Sequence, residues 1–162
     1  MNDYQIRRAE SKDAPILAVL AIQVWLDTYT KGVTGSHAEY VLAEFTPERM
    51  LTLIAENTVW VAACDETLLG FAVLNEQQTS EHGAELSTLY VQSRMQKKGV
   101  GHALFAAVRA QCPKFWVSAY HANHNAIAFY LRQGMQQVGI CDFMLGKERH
   151  ENMVFAIGGV DE

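Results

Sequence analysis

Apolar residues fall in two rhythms along this chain, strict alternation in some stretches and a three-to-four-residue recurrence in others, and the switches between them mark out its elements. Tyr4 to Ala9 alternates and predicts a short strand. Ser11 then stands where a helix cap is wanted, Asp13 and Pro15 suit a first turn, and Ile16, Leu17, Leu20 and Trp25 form an apolar stripe. A glycine-containing stretch from Lys31 to Ser36 leads into an aromatic, acidic segment expected to be loop. Thr46-Pro47 is an N-cap followed by a first-turn proline, opening a second helix through Met50, Leu51 and Ile54.

Thr58 to Cys64 and Thr67 to Leu74 are β-rich runs separated by Asp65-Glu66, a predicted antiparallel hairpin. Gln77 to Gly83 reads as a polar turn and Ala84 to Val91 as a further strand, which runs into the polar segment Gln92 to Lys98. From Gly99 the positions Val100, Ala103, Leu104, Ala107 and Val108 recur at helical spacing until Pro113. Phe115 to Ala119 is a strand, His121 to Asn125 a polar turn, and Asn125 to Gln133 a helix closed by Gly134. Strands near Gln136 to Cys141 and Asn152 to Ile157 complete an order of βαα, βββ, αβ, αββ, which implies a mixed sheet with helices on its faces.

Composition narrows the class. With 162 residues, 49% apolar and 19% charged, and no internal repeat or linker, the chain is expected to form a single domain over residues 1–162. A formal charge of −5 argues against general nucleic-acid binding, which needs basic surface to displace counterions. Cys64, Cys112 and Cys141 are odd in number and scattered, so they are expected to be free, buried thiols in a reducing, cytoplasmic setting. The longest apolar run, Ala14 to Ile22, is too short to span a bilayer, and the acidic residues before it do not suit a signal peptide, so no membrane association is expected.

The informative chemistry lies where the strand ending at Val91 meets the helix beginning near Gly99. Glycines there permit unusual backbone angles and close approach, so successive amides at the helix start converge on one point. Lys97 and Lys98 and the positive end of the helix dipole complete an anion cradle fit for a pyrophosphate. A nucleoside triphosphate is disfavoured because His102-Ala103 follows Gly101 where Lys-Ser/Thr would be needed. A dinucleotide is disfavoured because Leu104 stands in place of a third glycine. The plain alternative is a capped helix start and nothing more.

Gln96-Lys-Lys-Gly-Val-Gly101 resembles the acyl-CoA pyrophosphate motif, Gln/Arg-x-x-Gly-x-Gly/Ala, of the GNAT superfamily of N-acetyltransferases. Twenty-seven residues after Gln96, the run from Asn123 to Met135 is similar to that family's later motif: an Asn seven residues before Tyr130, closed by Gly134, with Met135 in place of the usual Phe. The resemblance implies an α/β fold with a mixed, mostly antiparallel sheet of six to seven strands and helices on both faces. It implies acetyl-CoA as co-substrate, with its pantetheine along the main chain of Leu89, Tyr90 and Val91. Its pyrophosphate then falls on the amides of Gln96, Lys97, Lys98, Gly99, Val100 and Gly101, extending to His102, and Asn123 stands near it. Asn123 also has a local reading as a helix cap.

The same resemblance places Tyr130 where the family's tyrosine protonates the departing thiolate; by itself a helix-face tyrosine is more commonly packing. An alkyl amine with a pKa near 10.4 is neutral to about one part in 2,500 at pH 7, so a base or a water relay is needed. Glu85, eleven residues before Gln96, matches the glutamate base of the histone acetyltransferase branch, and partial burial would raise its pKa toward neutrality. The expected reaction is direct attack by a primary amine, of a small molecule or a peptide, in a ternary complex. Stabilisation comes from a backbone N–H near Leu89 or Tyr90. The alternative from another class is a non-catalytic acyl-CoA-binding regulatory module.

No cysteine is placed as a nucleophile. No metal is expected either, since His121 and His124, with His102 and His150 elsewhere, lack a carboxylate or thiol partner at ligand spacing. The resemblance implies that the run from Trp25 to Tyr29 and the acidic segment with Glu39, Tyr40, Glu44 and Phe45 fall where the family varies its acceptor pocket; Asp27, Tyr29 and Glu44 are candidates to attract a cation, while Trp25 and Phe45 read as core. A homodimer stays open by analogy with relatives.

Overall fold

The computed structural model describes residues 3–28, 31–96 and 98–158. Strand β1 (Gln5–Arg8) enters helix α1 (Ala14–Asp27) through a single 3-10 turn. That corner is held by an ion pair: both Asp13 oxygens accept from the Arg7 guanidinium, at 2.9 and 3.1 Å, and Oδ2 also accepts from the Glu10 N–H at 2.7 Å. Asp13 is almost fully buried, yet every contact it makes favours its charged form, led by the Arg7 hydrogen bond, and these hold its carboxyl below the ordinary range.

Two further helices follow, α2 (Gly35–Glu44) and α3 (Pro47–Glu56). Helix α2 corrects the loop expected over that stretch. Thr34 Oγ1 accepts from the His37 N–H and His37 Nδ1 accepts from the Thr34 N–H, each at 3.1 Å, a reciprocal cap with histidine in the place usually held by glutamate. With so few apolar positions, this helix owes its place to the aromatic side chains it packs rather than to a stripe visible in the sequence. Helix α3 starts as expected, Thr46 Oγ1 accepting from the Arg49 N–H.

Strands β2 (Thr58–Cys64), β3 (Thr67–Ser80) and β4 (Gly83–Val91) form an antiparallel meander. Helix α4 (Val100–Gln111), β5 (Phe115–Tyr120), α5 (His124–Arg132), β6 (Gln136–Leu145) and β7 (Glu148–Ile157) follow. β3 and β7 outrun their expected limits because their hairpins continue into polar rungs that main-chain pairing sustains, whereas β6 runs on to Phe143 and the buried Leu145, which pack against the cluster of Trp25 and Val41. Among the described residues the strands make one seven-stranded sheet in the order β1-β2-β3-β4-β5-β7-β6, antiparallel except where β4 meets β5.

Helices cover both faces. One cluster joins Ala84 and Leu86 of β4 to Val100, Leu104 and Phe105 of α4 and Tyr130 of α5. Another joins Val59, Val61, Phe71 and Val73 to the buried side of α1 and to Met50 of α3. A third, built on Trp25, Val41 and Leu145, ties α2 to the end of β6. The three cysteines are free thiols, but Cys141 is exposed and Cys64 and Cys112 are half-buried rather than sealed in the core, since two lie in strands at points where no helix covers them fully. Among the described residues no helix is long and apolar enough to cross a membrane.

Removing the Asp13 carboxylate leaves the Arg7 guanidinium without its partner, and Asp13→Ala is expected to cost about 2 kcal/mol of unfolding free energy, below the value for a wholly buried pair because Arg7 keeps some solvent. The folded-state pKa of Asp13 lies below the unfolded one, so this stabilisation is complete at neutral pH. It fades as pH falls through the unfolded value toward the depressed one. Urea denaturation should therefore show a gap between variant and wild type at neutral pH that narrows in acid.

Candidate active site

The one parallel contact in the sheet is two rungs long, Ala84 beside Phe115 and Glu85 beside Trp116. Beyond them the strands separate, and β4 continues from Leu86 to Val91 without β5 at its side, about 20 Å of strand. Just past the split β4 carries a bulge: Leu86 pairs with Leu74 and Thr88 with Val73, so Ser87 is an extra residue. After the bulge the direction of each main-chain group can be followed. The Gln92 N–H donates to Leu69 O at 2.8 Å, and the Tyr90 carbonyl is turned toward Gly70, where an added Cβ would lie 2.6 Å from it. Residues 90 and 92 thus face β3, and Leu89 and Val91 present their N–H and C=O groups to the open side. The expected main-chain run Leu89–Val91 narrows to Leu89 and Val91, because Tyr90 spends its main chain on β3.

The far end of this edge is closed by α4. Gln96 Nε2 donates to Val91 O at 3.3 Å, folding the loop back against the strand. Gly99 caps the helix with φ of +84°, left-handed backbone that favours glycine, and no side chain covers the first-turn amides. The first helical bond is from Ala103 N–H to Gly99 O at 3.0 Å, so the N–H groups of Val100, Gly101 and His102 precede the ladder. Lys98 is exposed beside them; Lys97 lies outside the described residues. Gly101 is small for a packing reason, since a Cβ there would meet the Phe129 ring of α5 at 3.2 Å. His102 Nδ1 meets Gln133 Oε1 at 2.9 Å, a second tie between α4 and α5.

The opposite wall is β5 and the start of α5. Asn123 caps α5, its Oδ1 accepting from the Ala126 N–H at 3.2 Å, while its own N–H donates to Tyr120 O at 2.9 Å. Tyr130, 6% exposed, packs near Phe129 and Phe155 with ring centroids 5.5 and 6.2 Å away, and burial pushes its phenol well above the ordinary value. It keeps its proton at neutral pH. Glu85 alternates with the buried Ala84 and Leu86 and so belongs to the other face of the sheet, where it is half-buried and desolvation raises its carboxyl. Tyr130 and Glu85 therefore stand on opposite faces, with the split between β4 and β5 separating them. Beside Glu85, the Trp116 indole N–H is buried and has no hydrogen-bond partner among the described residues.

On the Glu85 face a cavity of about 190 Å³ lies between β4 and the corner joining α2 to α3. Ser87, Thr88 and Tyr90 contribute from β4, and Tyr40, Glu44 and Phe45 from α2 and its end. Of the residues singled out for an acceptor, Tyr40, Glu44 and Phe45 are here. Asp27 instead accepts from Ser93 Oγ at 2.6 Å, Trp25 is buried in the third cluster, and Tyr29 lies outside the described residues. Sequence reasoning missed Ser87, Thr88, Trp116 and the side chain of Tyr90. A bulge is a mismatch of count between two strands and has no signature in one of them. Among the described residues, no three His, Cys, Asp or Glu side chains come together as a metal-binding group.

The arrangement offers amides for an anion at one end, strand-like main chain for an extended polar ligand along the middle, and a protonated phenol and a carboxylate near the split. A model of the acetyltransferase (GNAT) family matches residues 21–135. The chain is 29% identical over 133 residues to the peptidyl-lysine N-acetyltransferase YiaC of Escherichia coli (strain K12), covering 82% of this chain and 84% of that protein. Its fold is similar to that of the PaiA N-acetyltransferase from Thermoplasma acidophilum in complex with coenzyme A, with TM-score 0.77 and 20% identity over 95% and 98% of the two chains. A GCN5-related N-acetyltransferase from Rhodopseudomonas palustris superposes with TM-score 0.78 and 16% identity over 98% of each chain.

The two loop glycines are expected to resist substitution for different reasons. Gly99→Ala forces a side chain into left-handed backbone, a cost of about 1–2 kcal/mol, whereas Gly101→Val presses on Phe129 and costs about 1–3 kcal/mol. Chemical denaturation of each variant checks both, and a neutral Gly101→Val would show that α4 and α5 are not in close contact there.

Proposed function

The chain belongs to the acetyltransferase (GNAT) family, and from that premise we propose that it transfers an acetyl group from acetyl-CoA to the primary amine of a small molecule or a peptide, by direct attack in a ternary complex. The observation that carries the reading is the split after Glu85 and Trp116, which leaves Leu89 and Val91 open along β4 and ends at the uncapped start of α4. These groups suit acetyl-CoA. The amides of Val100, Gly101 and His102 fit its pyrophosphate, with Gln96, Lys97, Lys98 and Gly99 forming the approach, and the open main chain of β4 fits its amide-bearing arm. Asn123, committed by its Oδ1 to capping α5, has its amide nitrogen left for the ligand.

Bound acetyl-CoA supplies an activated acetyl thioester. Every remaining task falls to the chain. The Leu89 N–H, free of β3, is the donor for charge developing on the carbonyl oxygen, and Tyr90 is not. Tyr130 holds a proton that it delivers to sulfur as the thiolate leaves, a role suited to a buried phenol with a raised pKa. Glu85, across the split, takes the proton of the incoming amine, and its raised carboxyl makes it a better base than an exposed glutamate. The curated relative named for peptidyl-lysine supports a lysine amine among the acceptors, and the charge of −5 favours cationic ones.

Acetyl-CoA consumption over a panel of primary amines tests the reading. Tyr130→Phe is expected to lower kcat by about 10²-fold with the acetyl-CoA KM little changed. Glu85→Gln should lower kcat/KM and abolish the limb on which activity rises with pH, because wild-type Glu85 must lose its proton to act. Coenzyme A that protects the protein against heat with no amine ever acetylated would favour a non-catalytic binding module instead.

A further inference from the structure

Helix α2 is short of apolar contact: of its ten residues only His37 and Val41 are buried. The hairpin of β6 and β7 supplies a polar hold instead. Its turn at Gly146 lies against the first turn of α2, so closely that an added Cβ would stand 2.8 Å from Ser36 Oγ. Two residues on, Glu148 Oε2 lies 3.1 Å from His150 Nε2 and 3.9 Å from His37 Nε2. One carboxylate oxygen thus faces an imidazole of the strand and an imidazole of the helix.

The roles of the nitrogens follow from their partners. A backbone N–H only donates, so the Thr34 N–H fixes His37 Nδ1 as an acceptor, and the hydrogen of this ring is on Nε2, toward Glu148. A carboxylate only accepts, so His150 Nε2 donates to it as well. The two imidazoles are shielded, their side chains 8% and 14% exposed, while the carboxylate keeps some solvent. Trp25 meets the His37 ring edge-on at 5.6 Å, and Tyr120 meets His150 at 5.2 Å. The neighbouring cation Arg149 is turned to Asp142, at 3.0 Å.

His37, Tyr40, Val41 and Glu44 recur at i, i+3, i+4 and i+7 and so share one face of α2. Val41 joins the cluster of Trp25 and Leu145, while Tyr40 and Glu44 line the cavity on the Glu85 face. The hairpin therefore grips the first turn of a helix whose later turns wall that cavity. Phe143, paired with His150 across the hairpin and edge-on to Tyr40 at 5.5 Å, extends the grip to the second turn.

We propose that Glu148 is a positioning residue for the transfer reaction: it clasps His37 and His150 and so sets where α2 presents Tyr40 and Glu44 to the incoming amine. The proposal rests on the acetyl-transfer reading above.

The test joins kinetics to hydrogen exchange of the α2 amides on the full chain, with n-butylamine and a lysine-containing peptide blocked at its N-terminus as acceptors. Glu148→Gln weakens the clasp without emptying its place. It should raise the acceptor KM about 3-fold, the size of a polar contact to a part-exposed charge, with kcat and the acetyl-CoA KM unchanged. Exchange should quicken in α2 and not in α4. His37→Glu keeps the Thr34 cap, since glutamate is the usual residue there, but sets two carboxylates against each other. It should raise the same KM further, and adding Glu148→Gln to it should bring the KM back down. Lost packing gives effects of one sign in both backgrounds, so the reversal separates a clasp from a general loss of stability.

A Glu148→Gln effect of the same sign in both backgrounds, or faster α2 exchange with an unchanged acceptor KM, overturns the proposal and leaves acetyl transfer standing. The reversal seen in α2 exchange, with no amine acetylated by any variant or by wild type, supports the clasp and overturns the transfer reading instead.

Discussion

β4 and β5 share two rungs and then part, and the open main chain this leaves is the constraint on which the rest of the molecule depends. Buried or half-buried N–H and C=O groups need partners. Along β4 the meander satisfies one edge, through groups such as Tyr90 and Gln92, and leaves Leu89 and Val91 for something other than the sheet. Gln96 meets one of these demands by donating to Val91 O, and in doing so it folds the glycine loop against the strand that it follows. The parallel direction of the pair brings the carboxyl ends of both strands, and the first turns of α4 and α5, to the same side. This is the arrangement that concentrates ligand-binding groups in sheets of this kind.

In the proposed reaction the split also bears on where protons are placed. Tyr130 is buried among aromatic rings on one face, and Glu85 is half-desolvated on the other. Had both groups stood on one face, a proton could pass between them without an acyl group intervening. With the strands parted, the proposed reaction runs through the sheet itself, the donor of a proton behind it and the acceptor of a proton before it. Burial acts on both groups in the same direction, raising each pKa, and in the proposed reaction the consequences differ because the phenol would act in its protonated form and the carboxylate in its ionised one.

Much of the fold was legible in the chain. Alternating and β-rich runs placed the strands, and the Thr46-Pro47 and Gly134 signals placed helix ends, because such signals are local and depend on the backbone of a few residues. Helix α2 was not legible. Its reciprocal cap uses His37 in place of an acid, and its few apolar side chains are anchored by Trp25 and Phe143, one before it and one about a hundred residues after it. The extensions of β3 and β7 were hidden for a related reason, since exposed hairpin rungs need only main-chain pairing and carry no apolar mark, and the end of β6 is held by its packing on Trp25 and Val41, which are distant in sequence.

The same division holds for the site. Gln96, Gly99, Gly101, Asn123 and Tyr130 stood out because their spacing along the chain matches a recognisable motif and because left-handed backbone at Gly99 demands its residue type. The sequence by itself therefore determined the class of fold, the family and the candidate anion-binding loop. Tertiary structure alone decided that Leu89 and not Tyr90 turns its main chain to the open edge, that Ser87 is the bulged residue, and that Trp116 stands beside Glu85. It alone decided that Tyr40 and Glu44 of α2 and Phe71 of β3 line one cavity. Each of those facts is a relation between strands or helices distant in sequence, set by register and packing, and no single segment contains it.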